Sequence, residues 1–218
     1  MTDDSLGAGK TVVHLVRHGE VENPQRILYG RLPDYHLSAA GREMAEKTAR
    51  VLSTRDITYI VSSPLERAQE TAAPIAVTTG LDIALDGRLI EPANAFQGQR
   101  FGVGDGALKD PRNWLKLYNP FQPSWGEPYK DIADRMLEAV SAARSAARGH
   151  EAVAISHQLS IWTLRLQLEG RRLWHDPRKR QCGLASVTSL VYDDDDRLIE
   201  IDYSEPAGPT SPTATKGA

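Results

Sequence analysis

Arg17-His18-Gly19-Glu20 stands directly after an apolar, β-branched stretch running from Thr11 to Val16. Ser62-Ser63-Pro64-Leu65-Glu66-Arg67 follows a second such run, Ile57 to Val61, and Ile155-Ser156-His157 closes a third that begins at Glu151. In α/β sheets ligands bind outside the carboxyl ends of parallel strands, so these are the places where chemistry is expected. The residue types suit the handling of an anion. A guanidinium stays charged and donates in a planar fork, and a neutral imidazole offers a lone pair on one nitrogen while the other carries the proton. Each fragment alone is weak: a single His18 reads more readily as a structural histidine, and an Arg-His-Gly triplet can arise by chance. Three such fragments, each at a strand end, are a stronger signal.

The elements that must position them can be read from periodicity. Thr11 to Val16 has the near-continuous apolar character of a buried strand. From Ser38 to Leu52 the pattern turns helical, with Met44, Ala45, Thr48, Val51 and Leu52 recurring at three- and four-residue steps. After Val61, Ser63 suits an N-cap, Pro64 the first helical position and Glu66 a capping box, which predicts a helix to about Thr79 that stops at Gly80. Tyr129 to Arg148 is amphipathic, with Ile132, Met136, Val140 and Ala143 on one face. Leu159 to Leu168 reads as a helix, and Val187 to Tyr192 with Leu198 to Tyr203 as a hairpin. Residues 90–128 read as irregular, rich in Gly, Pro and aromatics, with one short helix expected around Asn113 to Leu117. Strands alternating with helices imply an α/β fold, a mostly parallel sheet covered on both faces.

The bulk numbers bound the function. The chain has 218 residues, 40% hydrophobic and 25% charged, which fits one soluble domain with a substantial core. A formal charge of −3 gives no reason to expect nucleic acid binding. The basic stretch Arg171, Arg172, Arg178, Lys179 and Arg180 reads as a solvated face, with a positive rim for an anionic substrate as the alternative. Cys182 is the only cysteine, so neither an intrachain disulfide nor a cysteine zinc site can be built, and it is expected to be half-buried and unreactive. The start of the chain lacks the apolar core of a secretory signal, and no apolar run reaches the roughly 20 residues of a membrane span. A cytoplasmic location without a membrane partner is therefore expected.

Three decoys are set aside. Gly9-Lys10-Thr11 enters a strand where a phosphate-binding P-loop must enter a helix. Gly102, Gly104 and Gly106 have the wrong spacing for a dinucleotide fingerprint, and Asp193 to Asp196 lacks the spaced ligands of a calcium loop and reads as a charged hairpin turn.

Taken in order, Arg-His-Gly, then Ser-Pro-x-x-Arg-Ala-x-x-Thr-Ala, then a Glu, then Ser-His, the motifs resemble those of the histidine phosphatase superfamily, the phosphoglycerate-mutase-like proteins. The resemblance runs from Val12 to about Tyr203 and includes Tyr29-Gly30-Arg31 and Leu37-Ser38-x-x-Gly41. It implies a three-layer sandwich with a mixed, mostly parallel sheet over residues 11–203; residues 1–10 read as a flexible N-terminus, and residues 204–218, rich in Pro, Thr, Ser, Gly and Ala, as a disordered tail. It also implies a metal-independent and cofactor-independent phosphatase for a small phosphorylated metabolite. His18 would carry the phosphoryl group, and Arg17, Arg67 and His157 would clamp the phosphate oxygens. By position in the family pattern Glu91 would be the general acid, with Glu20 next in line. Tyr29, Gly30 and Gln158 are further candidates for substrate contact.

This chain departs from the pattern where Val21 replaces a common hydroxyl residue, where Gln158 replaces the usual small residue after the second histidine, and where Asn23 sits one place nearer the nucleophile. A phosphoglycerate-type mutase and a non-catalytic phosphate-binding adaptor are the alternatives. The aromatics Phe96, Phe101, Trp114, Tyr118, Phe121 and Trp125 read either as a satellite core, the role favoured for Trp114, or as a partly apolar lid, the role favoured for Phe96. Neither the physiological substrate nor the oligomeric state is legible.

Overall fold

The computed structural model describes residues 9–100 and 126–208. A six-stranded sheet in the order β3-β2-β4-β1-β5-β6 forms the middle layer. Its strands are β1 (Thr11–Arg17), β2 (Ile57–Ser62), β3 (Ile83–Leu85), β4 (Glu151–Ser156), β5 (Val187–Tyr192) and β6 (Leu198–Ser204). β1, β2, β3 and β4 are parallel, whereas β5 and β6 form an antiparallel hairpin joined to β1. The expected mixed, mostly parallel sheet is what forms. Every residue of β1 and β4 is buried, as their central places require.

Among the described residues four helices cover the sheet: α1 (Ala39–Leu52), α2 (Glu66–Thr79), α3 (Tyr129–Ala146) and α4 (Gln158–Leu168). Side chains alternate across β1, so Val13 and Leu15 enter a core with α3 and α4, while Val16 enters a second core with α1 and α2. α3 presents Ile132, Met136, Val140 and Ala143 to the first core, as its periodicity indicates. In α1 the buried stripe is Gly41, Ala45, Thr48, Ala49 and Leu52. Val51, expected on that stripe, is 50% exposed, because Ala49 completes the face in its place.

Other differences are local. α2 begins at Glu66 with Leu65 as N-cap and makes no side-chain capping bond, so Ser63 is not the cap. Its C-terminus is as expected, with Gly80 in the left-handed conformation at φ +73°. The three-residue β3 and the following 3₁₀ turn, Gly87–Leu89, were not legible as separate elements. β6 continues through Ser204 and ordered backbone reaches residue 208, past the expected start of the tail. Cys182 is buried, not half-buried. The turn at Asp193–Asp196 links β5 to β6 as expected. The expected helix at 113–117, the Gly102–Gly106 loop and the aromatics Phe101 through Trp125 lie outside the described residues, whereas Phe96 is buried.

Candidate active site

β1, β4 and β2 are neighbours, so their carboxyl ends meet at one place. The His18 backbone N–H donates to Ser156 O at 3.1 Å and that of Ser63 donates to Ile155 O at 2.9 Å, which stitches the three strand ends together. The rings of His18 and His157 consequently lie 5.2 Å apart. Gly19 and Gly41 permit this packing: a Cβ on Gly19 would fall 2.6 Å from Gly41 O, and one on Gly41 only 2.0 Å from Glu20 O. The loop after β1 can therefore lie directly against the start of α1, where Ser38 caps the helix by accepting from Gly41 N–H at 3.0 Å.

His18 is wholly buried. Its Nδ1 lies 2.8 Å from Gly19 O, and since a carbonyl only accepts, Nδ1 carries the proton and Nε2 presents a lone pair. That Nε2 has no hydrogen-bond partner among the described residues. Its pKa lies well below the ordinary 6.5, first because burial disfavours the charged ring and then because Arg67 and Arg17 are positive neighbours. A neutral ring with one bare nitrogen and two guanidiniums for neighbours has the chemistry of a nucleophile.

Arg67, in the first turn of α2, is also fully buried. One nitrogen, Nη2, donates to Gly30 O at 2.6 Å, and the guanidinium lies 4.8 Å from the centre of the Tyr29 ring, while Nε and Nη1 are unpartnered. Arg17 donates from Nη1 to Cys182 O at 2.8 Å and keeps Nε unpartnered. His157 has its Nε2 2.8 Å from Ser63 Oγ, and its Nδ1 is 3.4 Å from Glu91 Oε2 without a hydrogen bond. The His157 pKa is also held well below 6.5, by burial first and then by Arg67. Glu91 is 6% exposed, and burial raises its carboxyl pKa against the opposing pull of Arg67 and Arg17. Its backbone is held by Arg31, whose Nε donates to Glu91 O at 2.5 Å.

Six polar atoms of this site are therefore buried and unmatched: Arg17 Nε, Arg67 Nε and Nη1, His18 Nε2, His157 Nδ1 and Glu91 Oε2. Buried polar groups are ordinarily satisfied, so a convergent set of exceptions marks a place shaped for a ligand. Ligand atoms of His18, Glu91 and His157 lie within 4.8 Å of one another, a set that could in principle hold a metal ion. The charges argue for an anion instead, since the arginines that make protons unwelcome on both rings repel a cation for the same reason.

The five residues expected to act together, Arg17, His18, Arg67, Glu91 and His157, are thus brought together. The secondary candidates have other contacts. Tyr29 is a buried wall against Arg67, its ring centre 6.5 Å from that of His18, and Gly30 orients Arg67 through its carbonyl. The amide nitrogen of Gln158, expected to face phosphate, donates to Cys182 O at 3.1 Å. Glu20 accepts from Ser38 Oγ at 2.8 Å, Asn23 closes its own loop on Ile27, and Val21 is buried opposite Leu37. Two participants were missed. Ser63 was legible only as a capping residue, and Arg180 was submerged in a basic stretch whose other arginines and lysine are exposed.

Comparison with known proteins agrees with the geometry. Residues 13–214 match the model of the histidine phosphatase superfamily, branch 1. An uncharacterized protein of Mycobacterium tuberculosis is 61% identical over 198 residues, covering 91% of this chain and 98% of the relative. A "probable phosphoglycerate mutase" of Escherichia coli is 31% identical over 182 residues, covering 80% and 83%. The solved structure of a mycobacterial glucosyl-3-phosphoglycerate phosphatase superposes with a TM-score of 0.71 at 26% identity, covering 90% of this chain and 99% of that one. Among the described residues no helix is long and apolar enough to cross a membrane. With its fold, its paired histidines and its arginines in place, the chain belongs to the histidine phosphatase superfamily, branch 1.

Proposed function

We propose that this protein is a phosphatase that hydrolyses a small phosphomonoester through a phosphohistidine on His18, without a metal. The observation that carries this reading is the buried, unpartnered Nε2 of His18, its proton fixed on Nδ1 by Gly19 O, beside unmatched arginine nitrogens. The phosphoryl group occupies the space these atoms surround. Arg17, Arg67 and the Nδ1–H of His157 donate to its non-bridging oxygens, and these bonds strengthen as charge spreads over them in the transition state. His18 Nε2 forms a bond to phosphorus as the bond to the leaving oxygen breaks. Glu91, whose hold on a proton is strengthened by burial, gives its proton to that oxygen. In the second half Glu91 takes a proton from water, the water oxygen bonds to phosphorus, and the N–P bond breaks to release inorganic phosphate. Glu91 ends protonated, as it began.

The histidine phosphatase family and the phosphatase among the solved neighbours support hydrolysis. The test is turnover of 4-nitrophenyl phosphate followed by acid and base treatment of protein quenched during turnover. Label that is acid-labile, base-stable and absent from His18→Ala is expected, and label on a serine or full activity without His18 would overturn the mechanism. Activity should survive EDTA; loss that a divalent ion restores would assign the His18–Glu91–His157 set to a metal instead. Label exchange between two monophosphoglycerates without phosphate release would identify a mutase, and binding without any turnover an adaptor.

A further inference from the structure

Arg17 and Arg67 are accounted for by the phosphate, but a third guanidinium on the same side of the molecule is not. Arg180 lies in the connection between α4 and β5. Its basic neighbours Arg171, Arg172, Arg178 and Lys179 are exposed, with Arg171 paired to Glu169 and Arg178 to Asp176. Arg180 is partly buried and makes no ion pair among the described residues. Its Nε donates to His175 Nε2 at 2.9 Å and its Nη1 to Gln158 Oε1 at 3.4 Å. Both acceptors are neutral. His175 must be unprotonated at Nε2 to accept, and its Nδ1–H is already engaged with Leu173 O at 2.7 Å. Neutral partners therefore orient the fork without neutralising it, and Nη2 has no hydrogen bond among the described residues.

The position of this charge is tied to the site. Gln158, which holds Arg180 by its oxygen, donates its nitrogen to Cys182 O, the same carbonyl that receives Arg17 Nη1. The positive charge of Arg180 also acts directly on Glu91 and Arg17. Arg180 is thus anchored beside the site through Gln158 while making no bond to the groups that hold the phosphate, and under the proposed function it is assigned to the side of Glu91 and the departing oxygen. A guanidinium left unpaired in a half-buried place is costly unless a ligand completes it, and its fork matches the oxygens of a carboxylate or phosphate.

We propose that Arg180 recognises a second anionic group carried by the leaving group, so that the preferred substrates are phosphomonoesters whose alcohol bears a carboxylate or a second phosphate. This rests on the proposed function, which sets the orientation of the ester. The experiment uses alkyl phosphates of increasing chain length ended by a carboxylate, by a second phosphate or by a hydroxymethyl group. At the best length, wild-type kcat/KM for one of the anion-ended esters should exceed that for the hydroxymethyl ester by about 10-fold or more, the range expected of a charge-assisted contact. Arg180→Gln should bring that ratio close to one, chiefly through KM, and Arg180→Lys, which keeps the charge but not the fork, should leave an intermediate ratio.

Which of the two endings is preferred identifies the second anion. An unchanged ratio in Arg180→Gln, or no preference at any length in the wild type, would overturn the proposal, as would equal losses on all three esters, which would place Arg180 on the scissile phosphate. The same ratios measured as affinities by calorimetry on His18→Ala, with and without Arg180→Gln, decide the matter even if the protein releases no phosphate. Failure of the catalytic reading and failure of this one are thereby separated.

Discussion

Two clusters built on buried histidines share the central strands and differ in how completely they are bonded. In the first, His14 on β1 has Nδ1 2.8 Å from Ser189 Oγ and Nε2 2.6 Å from Glu151 Oε2, and Glu151 accepts a further bond from Arg55 Nε at 3.0 Å. Glu151 and Arg55 lie at the amino ends of β4 and β2, away from the site. Both ring nitrogens of His14 are matched. In the second, at the carboxyl ends, His18 and His157 each leave one ring nitrogen unmatched, beside unmatched atoms of Arg17, Arg67 and Glu91. Both clusters combine buried histidine with glutamate and arginine; they differ in saturation. A saturated polar cluster contributes to the fold, whereas an unsaturated one costs the fold stability and is intelligible only through what binds there.

The largest effects should therefore fall on opposite properties in the two places. His18→Ala should abolish phosphate release while changing stability by no more than about 1 kcal/mol, because the ring's one hydrogen bond among the described residues is that of Nδ1–H to Gly19 O and Nε2 has no partner there. Glu151→Ala should do the reverse. It leaves buried His14 Nε2 and half-buried Arg55 Nε without their acceptor, and stranding such groups costs about 1–3 kcal/mol. Urea denaturation and kcat per folded molecule, measured on both variants, test the pair. A His18→Ala protein that unfolds as readily as Glu151→Ala would dissolve the distinction.

Within the site, Glu91→Gln should divide substrates by leaving group. An alkyl phosphate departs as a strongly basic alkoxide and needs the proton, so phosphoenzyme formation should slow by about 10² to 10⁴. A nitrophenolate leaves unaided, so its single-turnover rate should fall far less. Arg67→Ala, which weakens the phosphate clamp itself, should harm both alike. Equal effects of Glu91→Gln on both esters would remove Glu91 from the acid role and turn attention to Glu20.

The contrast also explains what could and could not be read from the chain. The strands other than β3, the four helices and the convergent Arg17, His18, Arg67 and His157 are carried by local pattern, namely apolar runs, helical spacing and motifs at strand ends, whereas Glu91 follows only from its position in the family pattern. Saturation is not a local property. Ser63 lies within a motif that suits helix capping, and only the approach of β4 shows that its hydroxyl serves His157. Gln158 stands beside His157 in sequence, yet its amide turns to Cys182 because the α4–β5 connection folds back over it. Arg180 has the same composition around it as the exposed arginines nearby, and a tertiary contact with Gln158 sets it apart. β3 is three residues long, too short to show a period.

A smaller effect should appear in the pH dependence of stability. His18 and His157 have folded pKa values well below 6.5, from burial first and from Arg67 next. Below pH 6.5 the unfolded chain takes up protons on these rings that the fold refuses. Stability is then complete above about pH 6.5 and falls as pH drops towards the folded values, by up to about 1.4 kcal/mol per pH unit for each ring. Glu91, raised by burial, acts in the opposite sense: its contribution is complete below the ordinary 4.5 and is lost as pH rises through its folded pKa. Urea midpoints between pH 7.5 and 5.5 should show the slope flatten in His18→Ala. An identical slope in that variant would mean that His18 is not held neutral by the fold.

The smallest and most specific effect concerns Ser63. Its Oγ lies 2.8 Å from His157 Nε2 and only loosely, at 3.4 Å, from the Leu65 N–H. If the hydroxyl donates to Nε2, the His157 proton must sit on Nδ1, the nitrogen that faces Glu91 and the phosphate space. Phosphate then meets a donor rather than a lone pair, and the repulsion between Nδ1 and an anionic oxygen is avoided. Ser63→Ala removes this bias and lets the ring place its proton on either nitrogen, a loss of about 1 kcal/mol or roughly fivefold in kcat/KM. Loss of a merely structural bond would lower stability without moving the tautomer, so the deciding measurement is the ¹⁵N spectrum of His157. Wild-type protein should show protonated Nδ1, Ser63→Ala a mixture, and Ser63→Thr, which keeps the hydroxyl, a return to Nδ1. A wild-type ring protonated on Nε2 would mean that Ser63 accepts instead, and that His157 meets the phosphate only after taking a second proton.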